Sequence, residues 1–416
     1  MIFDFYLTTS LYVCDHPSHL PGCVLGPPAP KFTHNVENDF KDQRLRCFID
    51  HYLDRYDVIC LQEMFGAFSR RRRRLIKAAR KKGFFWKVSS PQSRSSMYLV
   101  DGGCLILSRL KIVAEAHMIF EPGMMSDRLA AKGVIYAKLH PKPGVYVHLF
   151  VTHMQAVYAG SDTIKECLSI QKHQYDELVE FVASTVAANE TSADMVEAQR
   201  LRDKKRRREM GVESSKSSST GGSFTPPEQD SMFVSRKCRR WPILIAGDFN
   251  CNSRPATGDV ATQVTKPYAD LSSSLSKIGS FSDVLYDRLG EHPVTYAAAD
   301  FALHGSFSPR ETALTCPEDY HESGEFVNQS LDYVFLFPPT HEELNKKPLQ
   351  MAPVADGEMS PDSRYLRTSI LKPTQAGVDH LKFILPTHRQ TPYGSLKYVS
   401  DHFAVETSFT VTDQSN

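Results

Sequence analysis

The sequence predicts an α/β protein from three observations. Short apolar runs read as buried strands, amphipathic helical stretches lie between them, and strand ends carry acids, amides or imidazoles. The runs are Tyr56–Gln62, Gly103–Ser108, Val145–Thr152, Pro242–Ala246, Leu331–Leu336 and Phe403–Phe409, rich in Val, Ile, Leu and Phe. The N-terminal MIFDFYLTTSLYVC reads as a further buried strand, because Asp4 and the lack of a basic start make it a poor secretory signal. Asp42–Tyr56 puts Leu45, Phe48, Ile49, Tyr52 and Leu53 on one helical face, and Ile164–Val182 does the same with Leu168, Tyr175, Leu178 and Phe181.

Two segments break the pattern. Residues 186–240 contain KKRRR at Lys204–Arg208 followed by a Ser-rich stretch, a composition that reads as a disordered insertion. Residues 338–395 are Pro-rich and read as an irregular surface insertion. Without them a core of about 300 residues remains, which fits one domain over 1–416 carrying inserts.

Composition narrows the function. With 49 basic and 48 acidic residues the net charge is +1, so the whole chain is no polycation for nucleic acid, and no stable nucleic-acid partner is expected. Nine cysteines without a C-x-x-C pair argue against a disulfide framework or a zinc site and for a reducing, cytoplasmic compartment. KKRRR leaves nuclear import as the lesser alternative. No run of about 18 apolar residues occurs, so no membrane-spanning helix is expected.

The chemistry sits at the strand ends: Gln62-Glu63, Thr152-His153-Met154-Gln155, Gly247-Asp248-Phe249-Asn250, Leu331-Asp332-Tyr333 and Ser400-Asp401-His402. Singly each has a plain structural explanation, as a polar turn, a capped strand end or a hydrogen-bonded histidine. Two β-layers with converging ends would gather Glu63, His153, Asp248, Asn250, Asp332 and His402 into one pocket. Oxygen ligands, an amide and imidazoles without thiolates suit Mg²⁺ rather than zinc, and with it phosphate-ester hydrolysis.

The ordered series LQE, DGGCLILS, THMQA, GDFN, LDYVF, SDH resembles the endonuclease/exonuclease/phosphatase superfamily. Asp101-Gly102-Gly103, Thr152–Ala156 and AKGVIYAKL at Ala131–Leu139 make it most similar to the neutral sphingomyelinases. The resemblance implies a four-layer α/β sandwich, two β-sheets flanked by helices, and a Mg²⁺-dependent phosphodiesterase. Carried over by position, Glu63 would hold Mg²⁺, Asp248 and Asn250 would orient water and phosphate, and His402 would be the general base oriented by Asp332. His153 would donate to the phosphate, and Asp401 would support the metal or His402. Asp127 and Lys132 would form a conformational switch; their bland alternative is a solvated pair in a loop. The family's first strand ends in an Asn metal ligand, where this chain has Thr8-Thr9-Ser10. Ser10 is a poorer ligand at that metal position, and Asn35 or Asn38 is the alternative.

Nine basic residues fall between Arg70 and Lys82, a run that reads by default as a solvated helical face and otherwise as a contact for anionic lipid or nucleic-acid phosphate. A lipid-cleaving protein would meet a sphingolipid membrane surface peripherally, through Arg70–Arg74 or through Met118–Met125, which reads equally as a strand and turn with buried methionines. Three readings therefore stand: a sphingomyelin-type phosphodiesterase, a nuclease of the same fold, and an inactive relative serving as a binding module.

Overall fold

A computed structural model describes residues 2–8, 41–67, 69–92, 98–143, 145–158, 160–209, 238–239, 241–255, 263–296, 329–341, 368–379, 399–400 and 402–414. The first part of the chain forms β1 (Ile2–Thr8), α1 (Lys41–His51), β2 (Val58–Leu61), α2 (Arg71–Lys81), β3 (Trp86–Ser89), β4 (Val100–Asp101) and β5 (Leu105–Ser108). Next come β6 (Lys111–Ile119), β7 (Ala130–Ala131), β8 (Gly133–Lys142), β9 (Val145–His153) and α3 (Ser161–Glu209). The remainder supplies β10 (Cys238–Arg239), β11 (Ile243–Asp248), α4 (Lys266–Leu275), β12 (Ser282–Asp283) and α5 (Val284–Leu289). It closes with β13 (Asp332–Phe337), β14 (Thr340–His341), β15 (Thr368–Asp379) and β16 (Ala404–Gln414).

Two six-stranded sheets result, ordered β15-β16-β1-β2-β5-β3 and β12-β13-β11-β9-β8-β6. The period-2 alternation of strand side chains explains why they stack. Val58 and Cys60 of β2 join Val147, Leu149 and Val151 of β9, Leu244 and Ala246 of β11, and Val334 and Leu336 of β13 in one core between the sheets. The alternate residues face outward: Ile59 and Leu61 pack under Leu45, Phe48, Leu75 and Ala79 of α1 and α2. Ile243, Ile245, Tyr333 and Phe335 pack under Tyr175, Leu178, Leu271 and Leu275 of α3 and α4. Helices, sheet, sheet and helices make the four-layer α/β sandwich expected from the resemblance. The central strands read as continuous apolar runs because both of their faces are covered.

Two expected irregular segments contain regular structure. Helix α3 continues through residue 186 of the 186–240 segment to Glu209. Val186 is buried, Lys138 Nζ donates to Asn189 O at 2.9 Å, and Trp241 N donates to Glu190 Oε1 at 3.2 Å, so the sheet side still grips the helix there. The following Ala, Glu, Met and Arg are good helix formers that sustain it; residues 210–237 lie outside the described residues. Within 338–395, β14 pairs with β10, and β15 pairs antiparallel with β16 as an edge strand. A register shift between Pro373 and Gln375 accommodates the proline, which an edge strand tolerates. Residues 342–367 and 380–398 lie outside the described residues.

The Met118–Met125 stretch is a strand end and turn, but Met125 is 59% exposed rather than buried. The basic run is only partly a solvated face. Arg71 and Arg74 both pair with Asp42, Arg72 pairs with Asp101, and Lys82 pairs with Asp54.

Candidate active site

Strand register builds the site. Asp248, at the end of β11, stands opposite His153 of β9 on one side and Asp332 of β13 on the other. All three occupy the next step of the face that carries Val151, Ala246 and Val334, so their side chains extend the inter-sheet core at its open end. The first sheet contributes the facing wall. Gln62, beyond β2, donates through Nε2 to Thr152 O at 3.4 Å, which brings the Gln62-Glu63 turn against the end of β9.

His402 arrives from the chain entering β16. Its Nδ1 lies 3.1 Å from Asp332 Oδ2, and its backbone N donates to Ser400 Oγ at 3.2 Å. Thr295 and Tyr296 steer this meeting. Thr295 Oγ1 accepts from the backbone N of both Leu331 (2.9 Å) and Asp332 (3.2 Å), its carbonyl accepts from Phe403 N at 2.7 Å, and the Tyr296 ring lies 4.8 Å from the His402 ring. Sequence reasoning missed both residues, since an isolated threonine acting through backbone amides carries no motif.

Asn250 adopts a left-handed backbone, φ +49°, which asparagine tolerates better than most residues. Its N donates to Asp248 Oδ1 at 2.8 Å and its Nδ2 to Met154 O at 3.0 Å. Gln171 Nε2 holds both Asn250 O and Gln155 O at 2.7 Å. His153 Nε2 is 3.6 Å from Asp248 Oδ2.

Asp127 and Lys132 correct the picture of a solvated pair. Their 2.8 Å ion pair is buried, and it clamps the exit of β9: Lys132 Nζ donates to Met154 O at 2.8 Å, and Ala156 N donates to Asp127 Oδ2 at 2.7 Å. Glu63 follows β2 with a left-handed φ of +55°, against Gly103. It is not among the three residues, Asp248, Asp332 and His402, whose potential ligand atoms lie within 4.8 Å of one another. Ser10, Asn35, Asn38 and Asp401 lie outside the described residues.

The electrostatics fit a hard divalent cation. Burial, and then the neighbouring Asp332 carboxylate, push Asp248 up to about 7. Burial, and then the Lys132 cation and the neighbouring His402 imidazole, push His153 well below the usual imidazole range. Asp332 Oδ1 is buried without a hydrogen-bond partner. Two crowded carboxylates with an unsatisfied oxygen, and no thiolate, form a donor set that suits Mg²⁺.

No family model matches the chain. It is 31% identical to a sphingomyelinase of Dictyostelium discoideum over 330 residues, 73% of this chain and 62% of that protein. It is 29% identical to sphingomyelinase C of Bacillus cereus over 149 residues, 33% of this chain and 44% of that protein. The chain thus spans less than two thirds of the length of these relatives. A double mutant of beta toxin from Staphylococcus aureus, solved with bound magnesium ions, superposes with a TM-score of 0.51. That match covers 98% of this chain and 99% of that one at 16% identity, a likeness of fold. The fold is an α/β sandwich of the endonuclease/exonuclease/phosphatase type. Within that class, the chain is similar in sequence to sphingomyelinases.

Proposed function

We propose that the protein is a Mg²⁺-dependent phosphodiesterase that hydrolyses sphingomyelin, or a related phosphosphingolipid, to ceramide and a phosphorylated headgroup. The observation that carries this reading is the Asp332–His402 contact beside Asp248, in a chain 31% identical to a sphingomyelinase.

With its Nδ1–H donated to Asp332, His402 carries its lone pair on Nε2, where it takes a proton from the attacking water. Asp332 stabilises the imidazolium that results. Water oxygen bonds to phosphorus as the bond from phosphorus to the ceramide oxygen breaks, and that alkoxide leaves as the alcohol by taking a proton from solvent. Asp248 and Asn250, fixed to each other, orient water and phosphate. His153, kept neutral by burial, donates an N–H to the phosphoryl oxygen as negative charge grows. Glu63, with carboxylate help, would hold Mg²⁺, which would supply polarisation of that oxygen.

Peripheral contact with a sphingolipid membrane surface belongs to the same reading. Among the described residues no helix is long and apolar enough to cross a membrane. On α2 and its N-cap, Arg70, Arg73, Lys77, Arg80 and Lys81 are exposed. At 100° per residue they share an arc of about 100°. Each would add about 1 kcal/mol of attraction near an anionic bilayer. A cytoplasmic setting belongs to the same reading, and the Cys60, Cys104, Cys167 and Cys251 thiols are buried.

The test is hydrolysis by purified protein with Mg²⁺, offered sphingomyelin in mixed micelles beside plasmid DNA, with His402→Ala as control. Phosphocholine release that is lost in the variant is the expected result. Nicked plasmid without phosphocholine would replace this reading with a nuclease, and silence in both assays would favour a binding module.

A further inference from the structure

We infer that the buried Asp101–Arg72 pair is a positioning device that holds the Glu63 turn in its metal-ready conformation; this rests on Glu63 being a Mg²⁺ ligand. The Asp101 side chain is almost wholly buried, with 1% exposure, and spends both carboxylate oxygens on the segments around Glu63. Oδ2 accepts from Gly66 N at 2.8 Å; Oδ1 accepts from Gly103 N at 3.0 Å and pairs with Arg72 Nη1 at 3.1 Å. Gly103 O in turn accepts from Met64 N at 2.8 Å. The residues one and three positions after Glu63 are therefore both tied to the Asp101–Gly103 segment.

Three glycines make this closeness feasible. A Cβ at Gly103 would stand 3.0 Å from Glu63 Cα and N, a Cβ at Gly102 would stand 2.3 Å from Ala131 O, and a Cβ at Gly66 would overlap the Arg72 guanidinium. The turn they enclose needs restraint. Glu63 holds φ +55°, a strained conformation for a non-glycine residue that persists only when its surroundings enforce it. Without the Asp101 carboxylate, Gly66 N loses its acceptor and Arg72 is left buried without its counter-charge, so the turn is released. Arg72 is thus set apart from its neighbours in the basic run: Arg71 and Arg74 share the half-exposed Asp42, whereas Arg72 reaches inward to the loop carrying Glu63.

Positioning acts on metal affinity rather than on chemistry once the metal is bound. The experiment is calorimetric titration of the full chain with Mg²⁺ alone, with thermal unfolding and hydrolysis rates alongside, for wild type, Asp101→Asn, Arg72→Lys and Glu63→Gln. Asp101→Asn and Arg72→Lys are expected to weaken Mg²⁺ binding by about 10- to 100-fold, with rates returning to within about threefold of wild type at saturating Mg²⁺. Arg72→Lys keeps the charge but not the planar fork, and it carries the test if Asp101→Asn does not fold. Wild-type Mg²⁺ affinity in a folded Asp101→Asn or Arg72→Lys, even at a lower melting temperature, would overturn the proposal and leave the pair a brace for the fold. Wild-type affinity in Glu63→Gln would instead remove the metal assignment, and the positioning role with it.

Discussion

Asp332 and His402 meet across the seam of the two sheets: one opens β13 of the second sheet and the other precedes β16 of the first, yet Oδ2 and Nδ1 are 3.1 Å apart. The dyad exists only when the sheets are docked. Asp332→Asn preserves size but offers an amide where the imidazole needs a carboxylate. We expect turnover to fall by about 10²–10⁴-fold with the circular dichroism spectrum intact. His402→Ala should lose at least as much, and the double variant little more than His402→Ala alone. Additive losses would mean that the two act separately.

Asp248 makes the site pH-sensitive. Its carboxyl is raised from 3.8 to about 7 in the metal-free protein, so the folded chain retains a proton that the unfolded chain gives up near pH 4. This group's contribution to the stability of the metal-free protein therefore falls as pH rises from about 4 through about 7. Asp248→Asn should be the more stable metal-free protein at pH 8, by on the order of a few kcal/mol, with the gap closing towards pH 4. On the proposed reading, in which neighbouring carboxylates help Glu63 hold Mg²⁺, the ion would displace this proton, so its affinity should drop as pH falls below about 7. Calorimetry in buffers of different ionisation enthalpy should register proton release, and a pH-independent affinity would contradict the assignment.

Breaking one half of the Asp127–Lys132 pair strands a buried charge. Lys132→Met should cost about 3–5 kcal/mol in urea unfolding, and Asp127→Asn combined with Lys132→Met should recover much of it. Because Met154 O accepts from both Lys132 and Asn250, turnover should stay depressed in the double variant even where stability returns. Full recovery of both would confine the pair to a structural role.

The exposed arc of α2 can be separated from its paired arginines. Replacing Arg73, Lys77 and Arg80 by glutamate should abolish sedimentation with vesicles rich in phosphatidylserine while leaving the melting temperature unchanged, because these residues are exposed. Binding by the unmodified chain should weaken as salt rises. Equal vesicle binding by both proteins would place the lipid contact elsewhere.

What could be read in the sequence was what repeats. Strands buried on both faces betray themselves as Val, Ile and Leu runs, and Asp248 and Asp332 stand out because an acid ends the inward alternation of Ala246 and begins that of Val334. β15 escaped notice because Pro373 and Gly377 interrupt its run, and its edge position demands apolar residues only weakly. The far half of α3 has a charged composition that reads equally as helix or coil, so only its continuation from the packed half decides. Arg72 is one of five consecutive arginines, and no sequence feature distinguishes the one that faces inward. Thr295 acts through two backbone amides, a role any threonine can play.

The shared level of His153, Asp248 and Asp332 on three neighbouring strands also sets which changes of length the gene can tolerate. Dropping a single codon inside β11 would reverse every side chain beyond it, sending the carboxylate of Asp248 to the helix side and an aromatic into the cleft. Connections between the same strands carry no such parity and can grow or shrink by whole segments. Changes of length are thereby easier to absorb in the connections, while the strands that hold the acids and imidazoles must stay in phase.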